Sequence, residues 1–231
     1  MQPIINYAIC AVSAYLIGSL SFGIIISKLF YHKDIRNFGS KSAGMTNMLR
    51  TFGKAPAIAT FICDVGKGIV AVVLAKKLLC GDADPLVCGY IAAVFSILGH
   101  MFPIYFKFRG GKGVATALGV TTALAWQTFP IVMIPFVIIV AASKMISLGS
   151  IISAAILPIA TYFVYYFWYP EYSPVVPTVA TAVIALLIIF MHRTNIKRMV
   201  RGEENKLGAK KSDEQLFNIT KSLFLRTGFN Y

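Results

Sequence analysis

Residues 113–143, GVATALGVTTALAWQTFPIVMIPFVIIVAAS, form a run of 31 positions without a charged side chain. A membrane-crossing helix needs about 20 apolar residues, so the run is long for one crossing and short for two. The sequence downstream decides between them. Residues 145–170 and 172–191 read as two further crossings, and the tail from Arg193 onward carries nine Lys or Arg residues. Basic residues collect on the cytoplasmic side of a membrane protein. One crossing within 113–143 would leave that tail outside, whereas two place it inside. The run therefore reads as a hairpin of two short or tilted helices turning near Gln127–Pro130. Each would be about 15 residues and about 22 Å long, with bilayer thinning or protein packing covering the remaining width.

The same reading extends upstream. Residues 1–27 carry no charge and the first cation is Lys28, after the apolar run. A cleaved secretory leader would begin with positive charge and end at a small-residue cleavage site, so this segment reads as a first span with its N-terminus outside. The loop 31–54 holds Lys33, Arg36, Lys41, Arg50 and Lys54 and falls inside. Residues 55–79, interrupted by Asp64 and Lys67, lead to an outer loop with Asp82 and Asp84. Residues 85–106 then return to Lys107, Arg109 and Lys112. The expectation is an all-α polytopic membrane protein of about seven transmembrane helices, N-terminus out and C-terminus cytoplasmic. Residues 1–200 would form the membrane domain and 201–231 a basic cytoplasmic tail. Leu216, Phe217, Ile219, Leu223, Phe224 and Leu225 suit that tail to an amphipathic interfacial helix or to a partly ordered segment.

Composition agrees. The chain of 231 residues is 57% hydrophobic and 13% charged, against about a quarter charged in soluble domains, and its mean hydropathy is +0.72. Disorder, a disulfide-stapled secreted module and an ordinary cytosolic enzyme are excluded. The formal charge of +13, from 22 basic and 9 acidic residues, would suggest nucleic acid in a soluble protein. Here it matches basic loops beside an anionic leaflet, and no nucleic-acid partner is expected.

The chemistry-bearing residues sit in the inward-facing loops. The first reads Arg36-Asn37-Phe38-Gly39-Ser40-Lys41-Ser42-Ala43-Gly44-Met45-Thr46-Asn47, followed by Arg50. Glycines let backbone N–H groups turn toward an anion, hydroxyls and the amide add neutral donors, and arginine offers a planar clamp for phosphate. The second reads Phe108-Arg109-Gly110-Gly111-Lys112-Gly113-Val114-Ala115-Thr116. It is not a nucleotide-binding P-loop: position 106 is Phe where the motif needs Gly, and Gly113 follows the lysine where Ser or Thr is required. A glycine-rich loop with a lysine at a helix N-terminus suits an anion; an ordinary positive-inside connector would look the same. Ser147 and Ser150 open a third helix, as substrate donors or as capping and packing residues. His192 and Asn195, three apart, share a helix face at a fourth.

Asp64 and Lys67, at i and i+3 within a span, read equally as a structural pair or a functional one. His100 reads as a structural hydrogen-bonding residue. Cys10, Cys63, Cys80 and Cys88 lack metal-ligand spacing. Cys80 and Cys88 flank the outer loop and could pair in an oxidising space, though membrane packing is the expected role. No Ser-His-Asp arrangement is visible.

These motifs resemble those of the acyl-phosphate-dependent glycerol-3-phosphate acyltransferases of bacterial membranes. Gly39-Ser40, Gly44, Thr46-Asn47 and Arg50 are similar to that family's first motif, GSGNxGATNxxR. Gly99-His100 through Pro103 and Phe108 through Thr116 resemble its second. His192-Arg193, Asn195-Ile196 and Arg198 with Gly202, Glu204 and Lys206 resemble its third, and Asp64, Lys67 and Gly68 also fit. The likeness runs from about residue 13 to 208. Lys41, Ser42 and Met45 stand where the pattern has Gly, Asn and Ala.

The resemblance implies acyl transfer from an acyl-phosphate to the 1-hydroxyl of glycerol 3-phosphate, giving lysophosphatidic acid and phosphate. It implies a multi-pass protein of the bacterial inner membrane, with its site facing the cytoplasm, no cofactor and no metal. Partners would be the two substrates, membrane lipids and, as a candidate, the soluble enzyme that forms the acyl-phosphate. The implied catalytic residues are His192, Lys112, Ser150 and Asn195. The implied substrate-binding residues are Ser40, Arg50, Asn47, Gly39, Gly44, Gly110, Gly111, Gly113, Ser147 and Glu204. The proton acceptor would be His192 or a substrate phosphate. A small-anion or organophosphate transporter would share the helices, cations and glycine breaks, but here the polar motifs cluster at one membrane face. An acyl-CoA enzyme of the histidine–four-spacer–aspartate type is disfavoured, because none of His32, His100 or His192 has Asp five residues on. A different acceptor, or a lipid-binding structural protein without turnover, are the remaining rivals.

Overall fold

The computed structural model describes residues 2–208. Its ten α-helices, among the described residues, are α1 (Gln2–Gly18), α2 (Phe22–Tyr31), α3 (Met45–Phe52), α4 (Lys54–Leu74), α5 (Pro85–Met101), α6 (Val114–Leu124), α7 (Thr128–Ser143), α8 (Ile146–Trp168), α9 (Val175–Met191) and α10 (Arg193–Val200). Four segments are long and apolar enough to cross a membrane: Pro3–Tyr31, Lys54–Leu79, Pro85–Phe106 and Ile146–Trp168. The pair α9 and α10, bent by 55°, makes a fifth. Most of the basic tail expected over 201–231, including its interfacial-helix reading, lies outside the described residues.

The expected hairpin in 113–143 is present as two helices, but the break comes early. The chain leaves the helix at Ala125, so α6 has 11 residues and α7 has 16. The turn is tied down by Tyr169, whose hydroxyl donates to Gln127 Oε1 at 3.0 Å. At about 1.5 Å per residue α6 is about 16 Å long, roughly half the hydrocarbon thickness.

The first span is also interrupted where the sequence reads as continuous: the helix stops at Gly18 and restarts at Phe22. The freed carbonyl of Leu20 accepts from Lys67 Nζ at 2.7 Å. A buried ammonium needs acceptors, and an intact helix offers none.

Small residues let the spans touch at backbone level, as membrane helices commonly do. A side-chain carbon at Gly18 would collide with the Ser96 backbone, and one at Gly99 with the backbone of Tyr15 and Ser19. These two glycines set the approach of α1 to α5. The main apolar core gathers Ile97, Met101, Val120, Leu157, Val164 and Ile184 from α5, α6, α8 and α9. Cys10, Cys80 and Cys88 are free thiols packed with small alanines in a second buried cluster, so the thiols pack in the apolar interior.

Replacing Gly99 by Leu should force α1 and α5 apart, and overpacking of a tight interface costs about 1–3 kcal/mol or more. The expected result is a lowered thermal midpoint in detergent, followed by size-exclusion chromatography, relative to wild type, with Gly99→Ala already lowered because its Cβ meets the same backbone atoms.

Candidate active site

Three helices begin at one cavity of about 460 Å³. Its wall includes Gly44, Met45 and Thr46 at the start of α3, Gly113, Val114 and Ala115 at the start of α6, and Ile146 and Ser147 at the start of α8. The first-turn N–H groups of an α-helix have no partner within the helix, and the dipole leaves partial positive charge there. Three such ends around one space suit an anion before any side chain is counted. Gly113 enables one of them: its φ of 84° lies in the left-handed region that glycine adopts freely. Lys112 and Arg50 add full charges to the same wall.

The cavity continues away from these termini. Along α8, Ser147, Ser150, Ser153, Ala154 and Leu157 all line it. That stripe of ten helical steps is about 15 Å long and passes from hydroxyls to hydrocarbon. Val132, Met133, Phe136 and Val140 of α7 form more of the wall. The cavity thus joins a polar cationic end to an apolar trough.

Glu204 organises the polar end. Its Oε1 accepts from Ser147 Oγ and from Asn195 Nδ2, both at 2.7 Å. Its Oε2 accepts from Arg198 Nε at 2.8 Å. Asn195 Nδ2 also donates to Ser147 Oγ at 2.7 Å, and Asn195 Oδ1 accepts from Lys112 Nζ. A chain of hydrogen bonds therefore fixes the lysine. Burial would raise the Glu204 carboxyl, but the donors Arg198, Ser147 and Asn195 outweigh it and hold the group below the ordinary glutamate range. The segment around Glu204 is a strap. Asn205 O accepts from Arg50 Nη2 at 3.3 Å, Leu207 N donates to Lys144 O at 2.7 Å, and Leu207 joins the cavity wall.

His192 donates from Nδ1 to Ile188 O at 2.8 Å, which leaves the lone pair on Nε2. Ser150 Oγ donates to Ile146 O at 2.9 Å within its own helix. Its lone pairs remain available on the cavity wall.

The structure brings Ser40, Gly44, Asn47, Arg50, Lys112, Gly113, Ser147, Ser150, His192 and Asn195 to this one cavity. Other residues expected to bind substrate sit behind the wall and act on the loops instead. Glu204 presents both oxygens to protein donors, and a carboxylate would repel an anion. Asn47 lines the cavity, yet its amide is fully engaged: Oδ1 accepts from Ser40 N at 2.9 Å, and Nδ2 donates to the carbonyls of Ile35, Phe38 and Ser42 at 3.2, 3.0 and 2.9 Å. It shapes the first loop. Gly39 packs against that amide. Gly110 N and Gly111 N donate to Met101 O and His100 O, both at 3.1 Å, so these N–H groups fold the second loop onto α5.

Arg36 staples the two loops. It pairs with Asp34 through Nε and Nη2 at 2.9 and 2.7 Å, and its Nη1 donates to Phe106 O at 2.7 Å and Arg109 O at 3.1 Å. Asp64, His100 and Leu207, none of them among the expected catalytic or substrate-binding residues, also line the cavity.

A family model described as "Glycerol-3-phosphate acyltransferase" matches residues 8–202. The chain belongs to the glycerol-3-phosphate acyltransferase family. Curated relatives carrying that name include one from Prochlorococcus marinus (strain MIT 9312), 41% identical over 194 residues, covering 84% of this chain and 94% of the relative. Another, from Shouchella clausii, is 42% identical over 196 residues, covering 85% and 93%. One from Clostridioides difficile is 39% identical over 217 residues, covering 91% and 100%.

Two crystal structures of PlsY (YgiH), an integral membrane glycerol 3-phosphate acyltransferase, share the fold. Its glycerol 3-phosphate form superposes with a TM-score of 0.75 at 35% identity, covering 87% of this chain and 96% of that one. Its lysophosphatidic acid form gives a TM-score of 0.71 at 34% identity, covering 91% and 98%. This member of the glycerol-3-phosphate acyltransferase family is accordingly an all-helical, multi-pass membrane protein.

Burial pushes the Lys112 ammonium down to about 8; Glu204 opposes that shift, and Arg198 and Arg50 add to it. The side chain is thus cationic below about pH 8 and loses its charge as pH rises through that value. Sulfate, which stays a dianion throughout, should bind best below pH 8 and weaken by up to about tenfold per pH unit above it. Calorimetric titration from pH 6.5 to 9.5 checks this, and Lys112→Arg should remove the decline, because arginine keeps its charge.

Proposed function

We propose that this chain transfers an acyl group from an acyl-phosphate to the 1-hydroxyl of glycerol 3-phosphate, producing lysophosphatidic acid and inorganic phosphate. The observation that carries the reading is the joined cavity: three helix N-termini with Lys112 and Arg50 at one end, and a hydrocarbon trough along α7 and α8 at the other. A phosphate dianion suits the first and an acyl chain the second. The PlsY structures named for glycerol 3-phosphate and lysophosphatidic acid support the same acceptor and product here.

The acyl-phosphate donor is what the family resemblance of the motifs implies. A covalent route through an enzyme nucleophile would need a strong base beside that nucleophile. Ser147 does donate to a carboxylate, but Glu204 also accepts from Asn195 and Arg198 and is held below the ordinary range, which makes it a weak base. An acyl-phosphate is already activated. The hydroxyl oxygen of glycerol 3-phosphate bonds to the acyl carbonyl carbon, the bond from that carbon to the bridging phosphate oxygen breaks, and phosphate departs. The hydroxyl proton passes by way of His192 Nε2 to the departing phosphate, which leaves as hydrogen phosphate. Lys112, Arg50 and the helix termini stabilise the phosphate charges as they redistribute, and positioning supplies the rest of the rate. Ser40 and Ser150 add neutral donors.

In the membrane, α6 and α7 each count as a crossing alongside the five longer spans, giving seven. The N-terminus lies outside, and the cation-rich site faces the cytoplasm of the bacterial inner membrane. That orientation follows from the positive charge at the site end, and it admits glycerol 3-phosphate from the cytosol. Residues 1–200 then form the catalytic body, closed by a strap from the basic tail.

Purified protein in a lipid phase should form labelled lysophosphatidate from glycerol 3-phosphate and palmitoyl-phosphate but not from palmitoyl-CoA. Lys112→Ala should lose at least about 100-fold in kcat/KM, the scale of removing one charge-stabilising donor, while keeping its chromatographic profile. Product from palmitoyl-CoA alone, or full activity in Lys112→Ala, would overturn the reading.

A further inference from the structure

Lys67 lies in the middle of α4, and its ammonium has three close partners: Leu20 O at 2.7 Å, Asp64 Oδ1 at 2.8 Å and His100 Nδ1 at 3.0 Å. An ammonium only donates, and here it meets two hydrogen-bond acceptors and one ion-pair partner. His100 Nδ1, facing a group that only donates, is the accepting nitrogen. Asp64 Oδ1 is farther from it, at 3.5 Å. The imidazole is therefore neutral, with its proton on Nε2.

That second nitrogen is placed for a ligand. His100 is 2% exposed and lies on the wall of the cavity that also holds Lys112 and Ser40. Its Nε2 abuts Gly111, where a side-chain carbon would collide with it, and Gly111 directly precedes Lys112. Among the described residues no acceptor is paired with Nε2. A buried donor left unpaired is costly, and here the lysine that fixes the tautomer is itself held by a carboxylate. Three elements, α2's preceding break, α4 and α5, thus combine to aim one neutral N–H at the cavity.

We propose that His100 is a further substrate-binding residue, donating from Nε2 to a phosphate oxygen held beside Lys112. The proposal rests on the acyl-phosphate reading for the identity of that phosphate. A neutral donor suits the place: Lys112, Arg50 and Arg198 already repel one another, and a further cation would weaken each of them. Both substrates present such an oxygen, glycerol 3-phosphate and the acyl-phosphate alike, and their separate KM values tell which one His100 contacts.

His100→Asn tests this, because the asparagine Oδ1 stands near the place of Nδ1 and can still accept from Lys67, while the Nε2 donor is gone. His100→Gln carries an amide N–H near the Nε2 position. A lost hydrogen bond to a charged group weakens binding about tenfold or more. The expected result for His100→Asn is a thermal midpoint close to wild type, a KM about tenfold higher for one of the two substrates, and sulfate affinity lowered by a similar factor. His100→Gln should recover part of that loss. Unchanged sulfate affinity and unchanged KM for both substrates in folded His100→Asn would overturn the proposal, whatever its kcat. Sulfate binding needs no turnover, so it decides the role of His100 even where wild-type protein gives no product from palmitoyl-phosphate, an outcome that would defeat the reaction instead.

Discussion

Cations crowded into a poorly solvated space repel one another, and one carboxylate lets them share a wall here. Glu204 takes Arg198 directly and reaches Lys112 through Asn195, and its charge also acts on Arg50. With that anion neutralising part of the field, the site holds several cations together without forcing its lysine to deprotonate near neutral pH. Both oxygens of Glu204 are committed to protein donors, so it organises the cations without competing for the ligand. The helix N-termini complete the arrangement at no cost in formal charge.

The same residue explains why the chain after α10 turns back. Residues 203–207 link the α3 arginine, the α7–α8 junction and the start of α8 through Glu204, Asn205 and Leu207. Helices from the two halves of the sequence are thereby held at one cavity. Arg36 does the equivalent job between the first two loops. The polar end is thus a set of loops locked by buried hydrogen bonds, whereas the trough is shaped by the spacing of α6, α7 and α8.

Much of this was legible in the residues. The apolar runs located the long spans because hydrocarbon thickness imposes a length, and loop cations such as Arg50 and Lys112 do gather at the polar end of the cavity. His192 and Asn195 do share the cavity wall, although His192 sits at the 55° bend between α9 and α10 and not on one continuous helix face with Asn195. What stayed hidden depended on partners distant in sequence. The break at Ser19–Ser21 exists alongside a buried lysine 47 positions on, whose need for Leu20 O no local pattern displays. Asn47 looked like a ligand donor, and only the fold shows its amide filled by four backbone groups. Gly110 and Gly111 looked like an anion cradle, yet their N–H groups meet α5 carbonyls. Composition tells which groups can bind an anion, but the tertiary contacts decide which of them remain free to do so.

The most direct test is the position of the phosphorus atom in a crystal structure of this protein with glycerol 3-phosphate. The phosphate is expected where the starts of α3, α6 and α8 converge, with an oxygen about 2.7–2.9 Å from Lys112 Nζ and the glycerol hydroxyls toward His192. A phosphate bound away from Lys112, or held at the opposite membrane face, would contradict that placement.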